Sequence, residues 1–297
     1  MTVLDAGQIA RATPRVLSTP GERARKRRTS SVLVMVAVLA FTALMLSPLI
    51  WSTMAATKET SIAFASPPQF TYQPTLAAFV NLWQATNFYR YLENTVIIAV
   101  ATAALTLVVA APAAYALSRR GGQWSAVILA GALLFRAVPG FALALPFYNM
   151  AKSLGIYDTM IAVIIAFVAV DQPFSIWLLR NFFAAVPVDL DESALIDGCS
   201  RFGAFRRVIL PVVAPGLVTA GILSFLLAFQ EYLIAVVLTD VNAKTVPVFL
   251  ASQIGQTLPL LQQASAGVVL LAVPIVLLAT IAQRFLVAGL TAGAVKG

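Results

Sequence analysis

The chain contains no histidine, a single cysteine and few charged residues, which make up 11% of its 297 positions. With Cys199 alone, the chain can form neither an internal disulfide nor a cluster of cysteine and histidine that binds a metal or performs catalysis. It also lacks a G-x-x-x-x-G-K-S/T phosphate loop. The sequence therefore predicts a protein that is not an enzyme, does not hydrolyse ATP by itself and binds no metal or other cofactor.

Apolar residues dominate the sequence instead. Hydrophobic side chains account for 60% of the chain, far more than in a soluble domain, which predicts an integral membrane protein. Six apolar segments are long enough to cross the hydrocarbon core, which takes about 20 helical residues. They cover residues 32–54, 94–117, 124–150, 160–179, 212–239 and 264–282. The predicted fold class is an all-α membrane protein with six transmembrane helices, because helices satisfy their own backbone hydrogen bonds in lipid.

The segments between the spans are polar. Residues 1–31 are rich in Arg, Thr, Ser and Pro and lack apolar periodicity, so this basic tail is expected to be largely disordered. The membrane domain then covers residues 32–297. Its two long connections, residues 57–91 and 241–263, carry prolines and polar residues and are expected to be loops on the outer side.

Positive charge is distributed unevenly between the two sides of this six-span arrangement. With the amino terminus inside the cell, fifteen of the 20 lysines and arginines lie in the cytoplasm, in agreement with the positive-inside rule. They are Arg11, Arg15, Arg23, Arg25, Lys26, Arg27, Arg28, Arg119, Arg120, Arg180, Arg201, Arg206, Arg207, Arg284 and Lys296. Both termini are thus expected to be cytoplasmic. Topology explains the net charge of +8 better than anionic-lipid or nucleic-acid binding does.

Residues 186–215 are the largest concentration of charge outside the amino-terminal tail. Asp189 and Glu192 fit a capping box at the start of a short helix, and Gly198 can end that helix. Asp191 and Glu192 would then point away from a narrow apolar stripe. The stripe consists of Leu190, Ala194 and Leu195.

A second, basic helix is expected after Gly198. It contains Phe202 and Phe205 on one face, and Pro211 is expected to close the unit. Two interpretations of residues 186–215 remain open. The segment is either a solvated loop whose arginines only set topology, or an arm that docks into a groove on a partner protein.

Five polar residues fall inside predicted spans, where a charge costs about 2.5–3.5 kcal/mol on insertion scales. They are Arg136, Asp171, Gln172, Gln230 and Glu231. Such residues mark a translocation path or form structural contacts between helices, and the sequence leaves both roles open. We expect Arg136 and Asp171 to lie near one another.

Two motifs resemble a known family. The order Glu192, Ser193, Ala194, three residues, Gly198, then Val208 to Pro211 is similar to the E-A-A loop of ATP-binding-cassette importer permeases. Ser193 stands where that family usually has Ala, and Val208 where it usually has Ile. The ending G-L-T-A-G-A-V-K-G resembles the carboxyl tail of the maltose-type, carbohydrate-uptake branch. Phe229 to Tyr232 stands where that branch carries a Trp-Asn-Glu/Asp-Phe cluster, so Gln230 departs from it.

The resemblance implies a type I importer transmembrane domain in a bacterial inner membrane, with a cytoplasmic coupling helix. It implies three partners: a second permease subunit, a homodimer of ATPases that binds ATP and Mg²⁺, and an extracytoplasmic solute-binding protein. Carried over by position, the residues that couple to the ATPase are Asp189, Glu192, Ser193, Ala194, Asp197, Gly198, Leu210 and Pro211. The tail residues Gly289, Lys296 and Gly297 would reach into the ATPase dimer.

The resulting prediction is a permease subunit that forms part of the pathway for a sugar or sugar-like solute. The alternative is a carrier driven by an ion gradient, with Asp171 and Glu231 as ion sites. Against the carrier, the sequence shows no internal repeat that would indicate paired halves.

Overall fold

The computed structural model describes the backbone of residues 20–120 and 122–294, and the side chains of residues 32–120, 122–123, 125–281 and 283. Within these ranges the regular structure is helical, with no β-strand. The chain divides into two units, residues 1–51 and residues 52–297.

The first unit contains most of helix α1 (Pro20–Thr57), and the side chains of residues 32–48 are all exposed. Val32–Thr57 is long and apolar enough to cross a membrane, which confirms the first predicted span. Residues 20–31 were expected to be disordered but form the first turns of α1. Arg, Lys and Ala favour helix, and a segment that extends an existing helix avoids the cost of nucleation. Residues 1–19 lie outside the described residues.

The second unit contains the other helices. They are α2 (Ala77–Ala85), α3 (Phe88–Arg119), α4 (Gln123–Arg136), α5 (Gly140–Ser153), α6 (Met160–Ala184), α7 (Asp189–Ile196), α8 (Arg201–Ala204), a π-helical turn (Phe205–Ile209), α9 (Leu210–Val212), α10 (Ala214–Phe229), α11 (Leu233–Leu238), α12 (Val246–Gln253) and α13 (Leu258–Ala294).

Three further predicted spans are single helices, namely α3, α6 and the first part of α13, Leu258–Ile281. The other two predicted spans are interrupted helices. Residues 124–150 form α4 and α5, which are bent by 89°. Pro139, which caps α5 in an extended conformation, explains this break, since proline lacks a backbone N–H and disfavours helix in the residue before it. Counting each bent pair as one span gives six.

The fifth predicted span, residues 212–239, is interrupted at both ends. The helical segment Arg201–Val212 meets α10 at an angle of 77°, and Pro215 in the first turn of α10 favours a new helix start there. At its other end α10 stops at Phe229, and α11 begins at Leu233. The interruption at residues 230–232 contains the polar residues Gln230 and Glu231.

Both predicted outer loops contain helices. Residues 57–91 include α2 and the start of α3, and residues 241–263 include α12 and the start of α13. These short helices form because they bury apolar side chains together, with Leu82, Phe88 and Phe249 in one cluster. Each such side chain contributes roughly 1.5–3 kcal/mol when it is fully buried.

Helices α3, α6 and α10 pack closely through small residues. Several alanines of α3 are at most 9% exposed. They include Ala99, Ala103, Ala110 and Ala114. On α10, Gly216 lies against Phe182 of α6, and a Cβ atom there would come within 2.5 Å of the ring. Small side chains therefore set the spacing of the three helices that carry most of the polar groups described below.

Asp158, in the connection between α5 and α6, holds the connection between α11 and α12. Its carboxylate accepts hydrogen bonds from the backbone N–H groups of Asp240, Val241, Asn242 and Ala243 at 2.8–3.2 Å. Burial alone would raise the pKa of Asp158, but these four hydrogen bonds outweigh it and lower the pKa to about 2. The charged form of Asp158 thus stabilises the folded chain.

We expect Asp158→Asn to lower the free energy of unfolding by about 1–2 kcal/mol near neutral pH, after allowing for solvent screening. Because folding lowers the pKa of Asp158 from 3.8 to about 2, the stabilisation is complete above 3.8 and is lost as the pH falls toward 2. The variant should therefore lose stability less steeply than the wild type across this window. Thermal unfolding in detergent measures the difference, with Asp240→Asn in the same loop as the control. Equal pH profiles for wild type and Asp158→Asn would contradict this role.

Candidate functional site

Helix α7 begins and ends within the charged segment 186–215. Its end is as predicted, because Gly198 has a φ of +85° and follows the last turn directly. The N–H of Gly198 donates to the carbonyl of Leu195 and that of Cys199 to the carbonyl of Ala194, at 3.1 and 3.0 Å. This is the Schellman arrangement, which satisfies the last carbonyls of a helix.

The predicted capping box is wrong. Val188 is the N-cap of α7, and no side chain caps it. The turn starts earlier, since the backbone N–H of Asp191 donates to the carbonyl of Val188 at 2.9 Å. Asp189 and Glu192 lie inside the first turn, where negative charge still favours the helix dipole.

The inward face of α7 also differs from the prediction. Only Asp191 and Ala194 are buried, while the other six residues are exposed, Leu190 and Leu195 among them. Apolar side chains therefore point outward from this segment, with Ile196 at 86% and Phe202 at 68% exposure. We call residues 186–212 the arm. Its exposed apolar side chains are typical of a surface that contacts another protein.

Asp191 is buried because it pairs with the end of α3. Its Oδ2 lies 2.8 Å from Nη2 of Arg119, and its Oδ1 accepts a hydrogen bond from the hydroxyl of Tyr115. Arg119 also donates through Nη1 to the carbonyls of Phe183 and Val186, at 3.2 and 3.0 Å. The sequence did not indicate a role for Tyr115, and it indicated only a topological role for Arg119. The spacing of Asp191 and Ala194, three apart on one helical face, could have indicated the buried side.

The second half of the arm is a continuous helical segment. Ser200 caps it by accepting a hydrogen bond from the backbone N–H of Gly203 at 3.1 Å. Phe205 and Ile209 are buried, whereas Pro211 is exposed. Pro211 does not close the arm as predicted. It lies in α9, and the chain bends only at Val213, the residue between α9 and α10.

A cavity lies among α3, α6, α10, the end of α4 and the break between α10 and α11. Five polar residues line it: Thr102, Arg136, Asp171, Ser224 and Glu231. Three of the five predicted intramembrane candidates thus meet at one cavity. Gln172 and Gln230 are not among its lining residues.

The predicted proximity of Arg136 and Asp171 is confirmed, with Nη1 of Arg136 3.7 Å from Oδ1 of Asp171. Asp171 is deeply buried, and its Oδ2 accepts a hydrogen bond from Ser175 Oγ at 3.1 Å. The guanidinium of Arg136 lies 5.0 Å from the ring centroid of Phe174, at a distance typical of a cation–π contact. The arginine is therefore held at the cavity by one carboxylate and one ring.

Several buried polar atoms at the cavity have no hydrogen-bond partner in the described part of the chain. They are Thr102 Oγ1, Ser224 Oγ and Asp171 Oδ1. A buried polar group without a partner costs about 1–3 kcal/mol. These atoms are therefore available to a polar molecule that enters the cavity.

The other candidates are placed differently. Glu231 lines the cavity, and its Oε1 accepts a hydrogen bond from the backbone N–H of Ile234 at 3.0 Å, at the start of α11. Gln230 is exposed at the end of α10, and Gln172 donates to the carbonyl of Thr106 at 3.4 Å. Gly289 lies in the backbone of α13, while Lys296 and Gly297 are outside the described residues. Among the residues that the structure describes, no three His, Cys, Asp or Glu side chains group as a metal site.

Comparison with known proteins places these features in a family. Residues 106–292 match the family described as "Binding-protein-dependent transport system inner membrane component". A probable ABC transporter permease from Sinorhizobium fredii is 36% identical, over 87% of this chain and 92% of that protein. A trehalose transport system permease from Mycobacterium tuberculosis is also 36% identical, over 75% and 84%. A trehalose/maltose permease from Thermococcus litoralis is 32% identical, over 92% and 99%.

Solved structures agree on the fold. A bacterial ABC transporter that imports the acidic polysaccharide alginate matches 88% of this chain and 97% of its own, with a TM-score of 0.72 at 21% identity. An inward-facing methionine ABC transporter matches 68% of this chain with a TM-score of 0.56. These likenesses confirm the predicted type I importer transmembrane fold.

The family also confirms the predicted resemblance to ABC importer permeases and the predicted class of protein. Its members are transport subunits, and ATP hydrolysis belongs to a separate ATPase. The chain is accordingly a multi-pass protein of the inner membrane and not an enzyme. It belongs to the family of binding-protein-dependent transport system inner membrane components, the permease subunits of ABC importers.

Proposed function

We propose that this chain forms part of the translocation pathway for a sugar or sugar-like solute, and that the arm couples it to the ATPase. The observation that carries the proposal is the cavity, because it joins intramembrane charges to unpartnered hydroxyl groups. Relatives named for trehalose, diacetylchitobiose and sulfoquinovosyl glycerol transport support the solute class.

The cavity has the chemistry to bind a hydroxyl-rich solute transiently. Thr102 and Ser224 offer hydroxyl groups that donate and accept, and Asp171 Oδ1 accepts. A solute hydroxyl that pairs with these atoms would remove their cost of burial. Because Thr102, Asp171 and Ser224 lie on three different helices, relative movement of those helices would separate them and release the solute.

The arm has the form expected for docking on the ATPase. A short exposed helix with outward apolar side chains suits a groove on a partner. The residues proposed to couple are Asp189, Glu192, Ser193, Ala194, Asp197, Gly198, Leu210 and Pro211. Of these, Ala194 is only 5% exposed, so it acts by seating α7 on its own chain. Ile196 and Phe202 add exposed apolar surface to the arm. Neither residue was predicted from the sequence to take part in docking.

In the proposed assembly, the chain pairs with a second permease subunit on an ATPase homodimer, and a solute-binding protein delivers solute from outside. Both termini and the arm face the cytoplasm, and the tail with Gly289, Lys296 and Gly297 contacts the ATPase. ATP and Mg²⁺ bind the ATPase, this chain binds no cofactor, lipid surrounds the spans, and nucleic acid is not a partner. Closure of the ATPase dimer around ATP would shift the cavity between inward-facing and outward-facing states.

Proteoliposomes test this function against the gradient-driven carrier. They contain the complete importer, and the binding protein is loaded with a labelled solute selected by a ligand screen. We expect uptake that requires ATP and an active ATPase and that a protonophore does not change. Uptake that survives loss of the ATPase and collapses with the protonophore would instead establish the carrier with Asp171 and Glu231 as ion sites.

A further inference from the structure

Arg119, Asp191 and Tyr115 form a polar cluster where the end of α3, the end of α6 and the arm meet. We call these three residues the latch. Asp191 is the one buried polar residue of α7, since Ala194 is the other buried position. The side of α7 that faces its own chain is thus held by the carboxylate of Asp191 and the methyl group of Ala194.

The guanidinium of Arg119 makes two kinds of contact at once. Through Nη2 it pairs with Asp191 of α7, and through Nη1 it binds the carbonyl of Phe183 in the last turn of α6 and that of Val186 at the start of the arm. The last carbonyls of a helix lack partners within the helix, and a cation there favours the helix dipole. One side chain of α3 therefore joins both α6 and α7.

Tyr115 fixes the direction of the contact to Asp191. Its ring packs against those of Phe183 and Phe205, at centroid distances of 5.7 and 5.0 Å. The hydroxyl is thereby aimed at Asp191 Oδ1, and the ring also lies 5.6 Å from the guanidinium of Arg119. A directed contact of this kind resists sliding of α7 along α3 better than apolar contact alone.

We propose that the latch transmits movement of the arm into α3 and α6, and so into the cavity. This inference rests on the proposed docking of the arm on an ATPase. Thr102 lies about 25 Å along α3 from Arg119, and Asp171 about 18 Å along α6 from Phe183, at 1.5 Å per residue. Both helices are unbroken between these points. Arg119, Asp191 and Tyr115 are positioning residues, which act on the solute through the helices that they join.

The test follows the cavity directly and needs no solute. The complete importer carries Cys199→Ser, which removes the native thiol of this chain, and Thr102→Cys, which places a new thiol at the cavity. The rate at which this thiol reacts with a small thiosulfonate reagent measures access to the cavity. The rate is compared with and without ATP and vanadate. In the background with an intact latch, we expect trapped ATP to change this rate on the order of tenfold, which is typical of coupling between sites. The double variant Arg119→Gln/Asp191→Asn removes both charges and leaves no buried ion unpaired. It should bind the ATPase and show the nucleotide-free rate of the intact background, but lose the response to ATP.

Arg120→Gln is the matched control, because Arg120 is the adjacent exposed arginine at the end of α3, and its response to ATP should be unchanged. Tyr115→Phe removes only the hydroxyl and should weaken the response. A full response in the double variant would overturn the latch alone. A double variant that no longer binds the ATPase would also overturn it, since the cluster would then only hold the arm in shape. No response in the intact background would overturn the proposed ATP-driven function.

Discussion

Gly198→Val is expected to reduce ATP-driven uptake at least about tenfold while the amount of protein in the membrane stays near that of the wild type. Gly198 has a φ of +85°, a conformation that a β-branched residue strongly resists. Apart from its two chain neighbours, no heavy atom of the described residues lies within 4 Å of a Cβ built at this position, so the cost arises in the backbone and not from a clash. The variant should relieve this strain by turning Cys199 to Phe202 away from their present direction. That change would misplace Phe202 relative to α7 on the surface proposed to meet the ATPase.

Gly255→Val is the control for this experiment. Gly255 has a φ of +84° and equally open space around its Cβ position, but it lies between α12 and α13, outside the arm. Both variants should lose similar thermal stability, and only Gly198→Val should lose co-purification with the ATPase. Glu192→Lys should act like Gly198→Val, because it reverses an exposed charge in the first turn of α7. Wild-type uptake in both arm variants would refute the docking role.

The arm shows which local features the sequence reveals. Its position and the end of α7 at Gly198 were predictable, since a charged segment between apolar spans and a helix-ending glycine are local signals. The burial of Asp191 was not predictable in the same way, because its partner Tyr115 is 76 positions away in the chain. Acidic residues in the first turn are compatible both with a capping box and with a helix that starts earlier in the chain. The packing of α7 against α3 decides between these two starts.

The spans show a similar division. Hydropathy predicted six membrane segments, but it does not show which of them are interrupted. Helices α3 and α6 remain single helices through Pro112 and Pro173. The break at Pro139 is sharp. The difference depends on whether neighbouring helices support the chain around the proline, as α3 and α6 support each other. A single sequence does not contain that information.

The charged residues that line the cavity were predicted from the sequence, whereas its hydroxyl-bearing residues were not. A charged side chain inside a membrane span has a high free-energy cost, so Arg136, Asp171 and Glu231 were recognised as candidates from their charge alone. Gln172 follows Asp171 by one residue, and the turn of about 100° per helical residue carries it away from the cavity. Thr102 and Ser224 were missed because threonine and serine in membrane helices commonly bond to their own backbone, as Thr95 and Thr219 do here.

Removal of the carboxylate of Asp171 should also reduce uptake strongly. Asp171→Ala leaves the guanidinium of Arg136 without its carboxylate 3.7 Å away. The side chain of Arg136 is 33% exposed, so water screens it and the cost is below the about 3–5 kcal/mol of a fully buried unpaired charge. We expect uptake to fall more than about tenfold, since 1.4 kcal/mol already corresponds to a factor of ten. Arg136→Ala should destabilise the chain at least as much, because it leaves the more deeply buried Asp171 with only the hydrogen bond from Ser175. Uptake in cells, corrected for the protein level in the membrane, measures both variants.

A structural ion pair and a pathway residue predict different results when both charges are replaced together. Arg136→Met/Asp171→Leu removes the pair without leaving an unpaired charge, and such replacements are often neutral or stabilising. A pair that only holds α4 against α6 would then be dispensable, and uptake would recover. We expect the double variant to be as stable as the wild type and still to lose uptake, because the cavity keeps Thr102 and Ser224 but loses the acceptor at Asp171 Oδ1. Normal uptake in this stable variant would remove Arg136 and Asp171 from the pathway and leave them a structural role.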